Sequence, residues 1–401
     1  LIFNIVVSLV LYGILTAAAY PIAALYNSPE IWTIAPVLFL VLPINSLCVV
    51  QTVMYTREFR FALLSKIVFV ASLISGAVAV VMAIMGCGIW SLVAQRLLMM
   101  GIKAAAFWTI RRWRTSARFS FSAIKAMAPF SLRLLATDLI ASVYNNVAQL
   151  FIGKMHNTST LGYYSQAQKL KDLPVTSTVQ AVQGVTYPAL SKIKDDATKF
   201  AEGYLRIERL LGFILFPVML GFVAIAPDMF MLLLGEKWMP TVPYFEILAL
   251  SGLFYPLAIV SYNVLKTKSD GKAIVRLEIV KRVIMTAVLC YTIPQSVESI
   301  AWGMMAMAAV EFALNTGVAM RYMETTFAAL LRTIAPSFVI AAVMFGALYF
   351  IAPYIATLHI ALRLCTMICA GCAIYLLMAW IFRLRALSEG AGLLRELFNR
   401  R

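Results

Sequence analysis

Charged residues are scarce in this chain. Only 13% of its 401 residues are Asp, Glu, Lys or Arg, whereas 62% are hydrophobic. Soluble domains contain about a quarter charged residues and about half apolar ones. A water-soluble core could not cover this much apolar surface, so the composition predicts an all-α protein that crosses a membrane repeatedly.

Motifs of catalysis, nucleotide hydrolysis and metal binding are missing too. The sequence has no Walker A loop, GxSxG, HExxH or EF-hand pattern. Cys365, Cys369 and Cys372 share one helical face, but zinc would need histidine or more thiolates there. We interpret these cysteines as packing residues, and we predict no enzyme activity, no cofactor and no metal.

Acidic residues are fewer than basic ones, which gives a net charge of +16. The cations lie mainly in short segments between apolar runs, without a patch of interleaved aromatic residues. This distribution argues against a nucleic-acid partner.

Apolar runs bounded by Pro, Gly or charged residues predict twelve spanning helices. Their bounds are residues 1–25, 31–55, 63–84, 88–110, 124–152, 161–189, 207–234, 241–265, 274–293, 297–320, 327–352 and 358–382. Pro217, Pro227 and Pro256 predict bends in the seventh and eighth segments.

Alternate connecting segments hold nearly all the loop cations, and we count Lys281 and Arg282 among these. The opposite set contains only Lys154 and Lys237. The positive-inside rule therefore makes the basic set cytoplasmic. The pattern holds only if the polar sixth segment crosses the membrane. The tail, residues 385–401, is predicted to lie on the cytoplasmic surface as an amphipathic helix.

Two neighbouring segments carry polar side chains every three or four residues, which places each set on one side of a helix. They are Asp138, Ser142, Asn145 and Gln149 on the fifth segment, and Lys169, Asp172, Thr176, Gln180 and Gln183 on the sixth. Single residues of this kind can join helices through hydrogen bonds. Two whole stripes favour a hydrated cavity. The candidate lining residues are Asp138, Asn145, Gln149, Lys169, Asp172, Gln180 and Gln183.

Two arginines, Arg96 and Arg133, are the candidate phosphate contacts, because guanidinium binds phosphate bidentately and keeps its charge. Arg96 can equally extend towards the lipid headgroups. Asp138 and Glu311 are candidate ion-coupling carboxylates, and Asp138 can instead balance the charge of Arg133.

Four ordered motifs carry a resemblance to a known family. They are LGYYSQAQKLKDLP (161–174), YPALSKIKDD (187–196), LLLGEKWMPTVPYFEILALSGLFYP (232–256) and NVLKTKSDGKAIVRLEIVKR (263–282). The chain resembles the Wzx-type polysaccharide flippases, in the colanic-acid and teichuronic-acid exporter branch of the multidrug/oligosaccharidyl-lipid/polysaccharide superfamily.

The resemblance implies two lobes of six helices followed by an extra helix pair. Residues 1–113 are then the last four helices of the first lobe, 114–123 the linker, 124–322 the second lobe, 323–384 the extra pair and 385–401 the tail. Two preceding helices are expected to be missing from this chain, which would make fourteen in all.

The resemblance also implies a function. We expect a multi-pass protein of the bacterial inner membrane, with a cytoplasmic C-terminus, that moves a polyprenyl-diphosphate-linked oligosaccharide to the periplasmic leaflet by alternating access. Expected partners are this lipid, membrane lipids, a coupling H⁺ or Na⁺, and a polysaccharide polymerase. The alternatives are an ion-coupled drug antiporter and a membrane-embedded polymerase or ligase, although the short outer loops disfavour the enzyme.

Overall fold

The computed structural model describes residues 1–58, 60–110, 121–193, 196–269 and 271–389. For some helical residues, including Arg133 and Gln183, the structure describes the backbone but not the side chain. The part of the chain described here consists of helices and turns without a strand. It divides into two compact units, Leu1–Val143 and Tyr144–Arg401.

The first unit has a small core. Its helices are α1 (Ile2–Leu25), α2 (Glu30–Phe39), α3 (Val41–Arg57), α4 (Phe61–Ile84), α5 (Trp90–Ile110) and the first part of α6 (Phe121–Met155). The rings of Tyr55 and Phe107 are 5.5 Å apart at its centre. Large apolar side chains such as Phe69 and Ile84 are exposed. This surface suits a lipid environment.

The second unit has one extended core that connects most of its helices. Beyond the end of α6, they are α7 (Thr158–Lys192), α8 (Ala197–Leu233), α9 (Val242–Ser251), α10 (Tyr255–Lys268), α11 (Lys272–Thr292), α12 (Val297–Ala319), α13 (Phe327–Ile351) and α14 (Ile360–Ile381). Helix α8 packs on α13 and α14, whereas α10 packs on α7 and α12.

Side-chain caps begin several of these helices. Asp196 accepts a hydrogen bond from the Lys199 backbone N–H at 3.0 Å, at the start of α8. This bond to the charged form lowers the pKa of the Asp196 carboxyl group. Ser296 and Thr326 cap α12 and α13 in the same way.

The predicted eighth segment is broken into α9 and α10. Pro256 follows the break, in the first turn of α10, where its missing N–H costs no helical hydrogen bond. Gly252 lies in the break, and a Cβ there would stand 2.5 Å from Met219 Sδ and 3.1 Å from Val175 Cγ2. Close packing of the break against α7 and α8 therefore requires glycine.

The multi-pass, all-α prediction is confirmed. Each of the twelve predicted segments coincides with one helix or a broken pair. Within the described residues, eight helical segments are long and apolar enough to span a membrane. Helices α5, α6, α7 and α11 are not among the eight, so their crossing, and the count of twelve, remain predictions.

The start of the seventh segment and the bounds of the linker and tail were also predicted from the sequence. Helix α8 begins at Ala197, ten residues before the predicted start of the seventh segment. Residues 111–120, most of the predicted linker, lie outside the described residues, as does the tail from residue 390. The proposed lobe boundaries remain predictions.

Candidate functional site

A polar cavity of about 370 Å³ lies within the second unit. Helices α6, α7, α9, α10, α11 and α12 supply its walls. Leu248, Ser251 and Tyr255 bring the broken α9–α10 segment into the lining. Transporters commonly place a discontinuous helix beside the substrate site, so this cavity is the candidate functional site.

The charges of the cavity balance. Among the described residues, six charged ones line it: the cations Lys171, Lys281 and Arg282 and the acids Asp172, Glu278 and Glu311. With every group ionised, their formal charges sum to zero. An anionic ligand therefore requires the existing ion pairs to rearrange.

Lys281 is the most enclosed of these cations, with 7% of its side chain exposed. Its Nζ lies 2.5 Å from Glu278 Oε1 on α11 and 3.0 Å from Glu311 Oε1 on α12. It also stands 5.1 Å from the centre of the Tyr262 ring, within the range of a cation–π contact. One buried ammonium group therefore joins two carboxylates across two helices.

The other two cations are more accessible. Arg282 stacks 4.8 Å from the centre of the Tyr144 ring and contacts Glu278 at 3.6 Å. Lys171 Nζ lies 2.7 Å from Asp172 Oδ1, with 15% of its side chain exposed. Each of these two cations has one acidic partner and several N–H groups, so donors remain that a ligand can engage.

Three of the predicted site residues lie in this cavity. Asn145, Asp172 and Glu311 line it. Gln149 does not, but its amide donates a 3.0 Å hydrogen bond to Gln168, which does. Gln149 thus joins α6 to α7, which is the alternative role considered for such residues.

Four predicted residues are absent from the lining. Lys169 and Gln180 on α7 are exposed, as are Asp138 on α6 and Arg96 on α5. Arg96 and Asp138 belong to the first unit. The side chains of Arg133 and Gln183 lie outside the described residues.

On α7, the predicted stripe and the cavity lining differ in helical phase. The lining residues Tyr164, Gln168, Lys171, Asp172 and Thr176 lie on a face rotated by roughly 80° from the predicted stripe, at about 100° per residue. Only Asp172 and Thr176 belong to both. Lys171 therefore takes the place expected for Lys169.

Sequence reasoning also missed the ion cluster of α11. Lys281 and Arg282 were assigned to a cytoplasmic segment, but both lie near the middle of a 21-residue helix. Glu278 stands three residues before Lys281 and four before Arg282, a spacing that pairs charges on one face of a helix. This spacing of charges within a largely apolar segment could have indicated the ion cluster from the sequence.

A second polar cluster of this unit, which we call the dry cluster, has no surface exposed to solvent. Tyr204, Ser261 and Thr316 join α8, α10 and α12 through two hydroxyl–hydroxyl bonds of 2.9 Å. Glu208, which is fully buried, lies beside the hydroxyls of Tyr204 and Ser261. Neither carboxyl oxygen has a hydrogen bond of proper geometry within the described residues. Such a site has no solvent access for a large ligand.

Comparisons with known proteins identify the family. The profile of the family described as "Polysaccharide biosynthesis protein" matches residues 1–243, more than half of the chain. The chain belongs to this family. The resemblance inferred from the four motifs is therefore confirmed.

Curated relatives of this chain are named as biosynthesis and transport proteins. The teichuronic acid biosynthesis protein TuaB of Bacillus subtilis is 25% identical over 66% of this chain and 55% of its own length. The succinoglycan biosynthesis transport protein ExoT of Rhizobium meliloti is 23% identical over 72% and 58%. The chain spans about half the length of the curated relatives it matches.

A solved structure shares the fold. The lipid II flippase MurJ, in an inward closed conformation, superimposes with a TM-score of 0.69 at 14% identity. The match covers 94% of this chain and 81% of that one. The chain therefore has the helical fold of this flippase.

Proposed function

We propose that this protein moves a polyprenyl-diphosphate-linked oligosaccharide from the cytoplasmic to the periplasmic leaflet of the bacterial inner membrane. The observation that carries the proposal is the cavity, which combines three cations with tyrosines and amides. Cations suit a diphosphate, and hydroxyl and amide groups suit a sugar. The family, and the biosynthesis and transport proteins among the relatives, support the same class of cargo.

Binding would start with an exchange of ion pairs. A diphosphate cannot enter hydrocarbon unpaired, because an unpaired buried anion is very costly. Arg282 and Lys171, the accessible cations, would meet the phosphates first. Lys281 would then turn from Glu278 and Glu311 to the cargo, and its return to them would favour release.

Glu311 is the proposed coupling carboxylate. If it takes up H⁺ or Na⁺, Lys281 loses one competing carboxylate and gains affinity for the cargo. Lipid binding and ion binding would thus be thermodynamically linked. Glu311 replaces Asp138 in this role because Asp138 is exposed and outside the lining, whereas Glu311 contacts Lys281 directly.

Topology completes the proposal. The positive-inside pattern favours twelve crossings in this chain and a cytoplasmic C-terminus. Residues 1–113 and 124–322 would belong to the two lobes of an alternating-access transporter, with 323–384 as an accessory pair. A polysaccharide polymerase on the outer face would consume the exported lipid, and this chain would act without catalysis.

The decisive experiment compares two cations of α11. Full-length protein is placed in proteoliposomes with a fluorescent polyprenyl-diphosphate oligosaccharide, and transfer between leaflets is followed by quenching. Lys281→Met should reduce the rate at least 10-fold, whereas Arg276→Met, an exposed site on the same helix, should leave it unchanged. Equal rates for Lys281→Met and the unaltered protein would refute the role of the cavity.

A drug antiporter is the second candidate, favoured by one feature of the site. Met285, Met304 and Met307 give the cavity an adaptable apolar wall. In the same vesicles, proton-driven uptake of an apolar cation without transfer of the lipid-linked sugar would support the antiporter and reject the flippase.

A further inference from the structure

A second large opening in the same unit lies away from the cavity. This cleft, of about 880 Å³, is formed by α8, α13, α14 and the helical turn at residues 385–389. Arg209, Arg332, Arg383 and Arg385 line it, and no acidic residue of the part of the chain that the structure describes does. All four arginines lie near the ends of the predicted spanning segments, on the side that the charge distribution predicts to be cytoplasmic.

Three of these arginines are available to a ligand. Arg209 is already paired with Glu389, which also lies 3.8 Å from Arg206. Arg332, Arg383 and Arg385 are exposed, and they form no salt bridge with the described residues. The cleft therefore presents uncompensated positive charge.

An apolar wall continues from the charged end. Pro336, Val339, Ile340 and Val343 follow Arg332 along one face of α13, over about 16 Å at the helical rise. Met378 and Phe382 of α14 complete it. A molecule that fits has an anionic head and a long apolar chain.

The backbone adds an independent observation. Arg383 has a φ of 49°, in the left-handed region where glycine usually ends a helix. Its N–H bonds to the Trp380 carbonyl oxygen, and the Leu384 N–H bonds to that of Ala379, so the turn has the form of a helix C-cap. A residue other than glycine is uncommon at this position, and the turn brings Arg383 and Arg385 together in the lining of the cleft.

We propose that this cleft binds an anionic glycerophospholipid of the cytoplasmic leaflet. Arg332, Arg383 and Arg385 hold its phosphodiester, since guanidinium binds phosphate bidentately and keeps its charge. An acyl chain lies against the apolar face of α13. Basic clefts between spanning helices commonly hold such headgroups. The site shares no residue with the transport cavity, so it does not depend on the proposed cargo.

The test is a binding measurement on the full chain in detergent micelles. Native mass spectrometry compares phosphatidylglycerol with phosphatidylcholine of identical acyl chains. Each arginine should contribute roughly fivefold to the preference for the anionic lipid. The triple variant R332Q/R383Q/R385Q should therefore lower that preference about 100-fold. The matched control R57Q/R276Q/R321Q removes three other exposed arginines and should leave most of it.

A second variant separates charge from shape. Val339→Trp fills the apolar face but retains every arginine, and it should weaken binding without changing thermal stability in neutral lipid. Equal losses in the triple variant and its control would reduce the effect to general surface charge and overturn the proposal. A second result would also overturn the proposal. If the cleft binds a polyprenyl phosphate more tightly than phosphatidylglycerol, and the triple variant loses transport, the cleft is part of the binding site for the transported lipid.

Discussion

The cluster around Lys281 and the cluster around Glu208 lie in the same unit but differ in how their ionisable groups are paired. In the cavity, one ammonium group is shared by two carboxylates that are partly exposed. In the dry cluster, a carboxyl group is fully buried among hydroxyls and forms no salt bridge with the described residues. Adjacent residues of α10 serve the two sites, since Tyr262 contacts Lys281 and Ser261 bonds to Tyr204.

The comparison distinguishes a site whose ion pairs can rearrange from a site whose buried contacts stabilise the packing of helices. Paired charges beside a cavity have alternative partners, so a ligand or an ion can exchange with one of them. A carboxylate without a cation is very costly to bury, so we expect Glu208 to carry its proton and to contribute to packing. Four comparisons between variants test these assignments, from the largest expected effect to the smallest.

Lys281→Met should have the largest effect, because it leaves Glu311 without its cation and Glu278 with only Arg282, at 3.6 Å. Breaking an enclosed ion pair from one side costs about 3 kcal/mol of unfolding free energy. Chemical unfolding in detergent measures this loss. The double variant Lys281→Met/Glu311→Gln should recover part of the stability but no transport. A double variant as unstable as the single one would show that Glu311 is not coupled to Lys281.

Ser261→Ala should follow, since it removes the hydroxyl that both Tyr204 and Thr316 contact. Leaving two buried hydroxyls without partners costs about 2 kcal/mol. Transport at a temperature where the variant is folded should be unchanged. Ser177→Ala, at an exposed site of α7, is the control and should leave stability unaltered. A Ser261→Ala protein with normal stability but slow transport would place the dry cluster in the transport machinery.

Lys171→Met and Lys169→Met form a matched pair, two residues apart on α7. The first removes a cation of the cavity and should lower the transport rate several-fold, an effect of about 1 kcal/mol. The second removes an exposed cation and should not change the rate. The leaflet-transfer assay compares them directly. The reverse result would restore the stripe predicted from the sequence and reject the observed helical phase.

Glu208→Gln should have the smallest effect. If the carboxyl group is uncharged, the amide has nearly its shape and polarity, and the unfolding free energy should change by less than about 1 kcal/mol. The comparison is with Glu311→Gln, which should alter the response of transport to an ion gradient. Loss of that response in Glu208→Gln, with Glu311→Gln unaffected, would exchange the roles assigned to the two acids.

Helix phase marks the limit of what could be predicted for the site. Spacing alone identified Asn145 and Asp172 as inward residues, and both line the cavity. It could not choose between the two polar faces of α7, because Lys169 and Gln180 follow the same helical period as Gln168 and Lys171. Only packing of α7 against α9 and α10 decides which face is enclosed.

What the sequence by itself determined is the class of protein. Apolar content, run lengths and the unequal distribution of cations are local properties, and they predicted a multi-pass helical protein before any contact was known. Tertiary structure decided the chemistry. Glu278, Lys281 and Glu311 become one cluster only because α11 packs on α12, which brings residues 30 positions apart within 3.0 Å. Charges on separate helices pair only where packing places them together, so the sequence contained the ions but did not specify their partners.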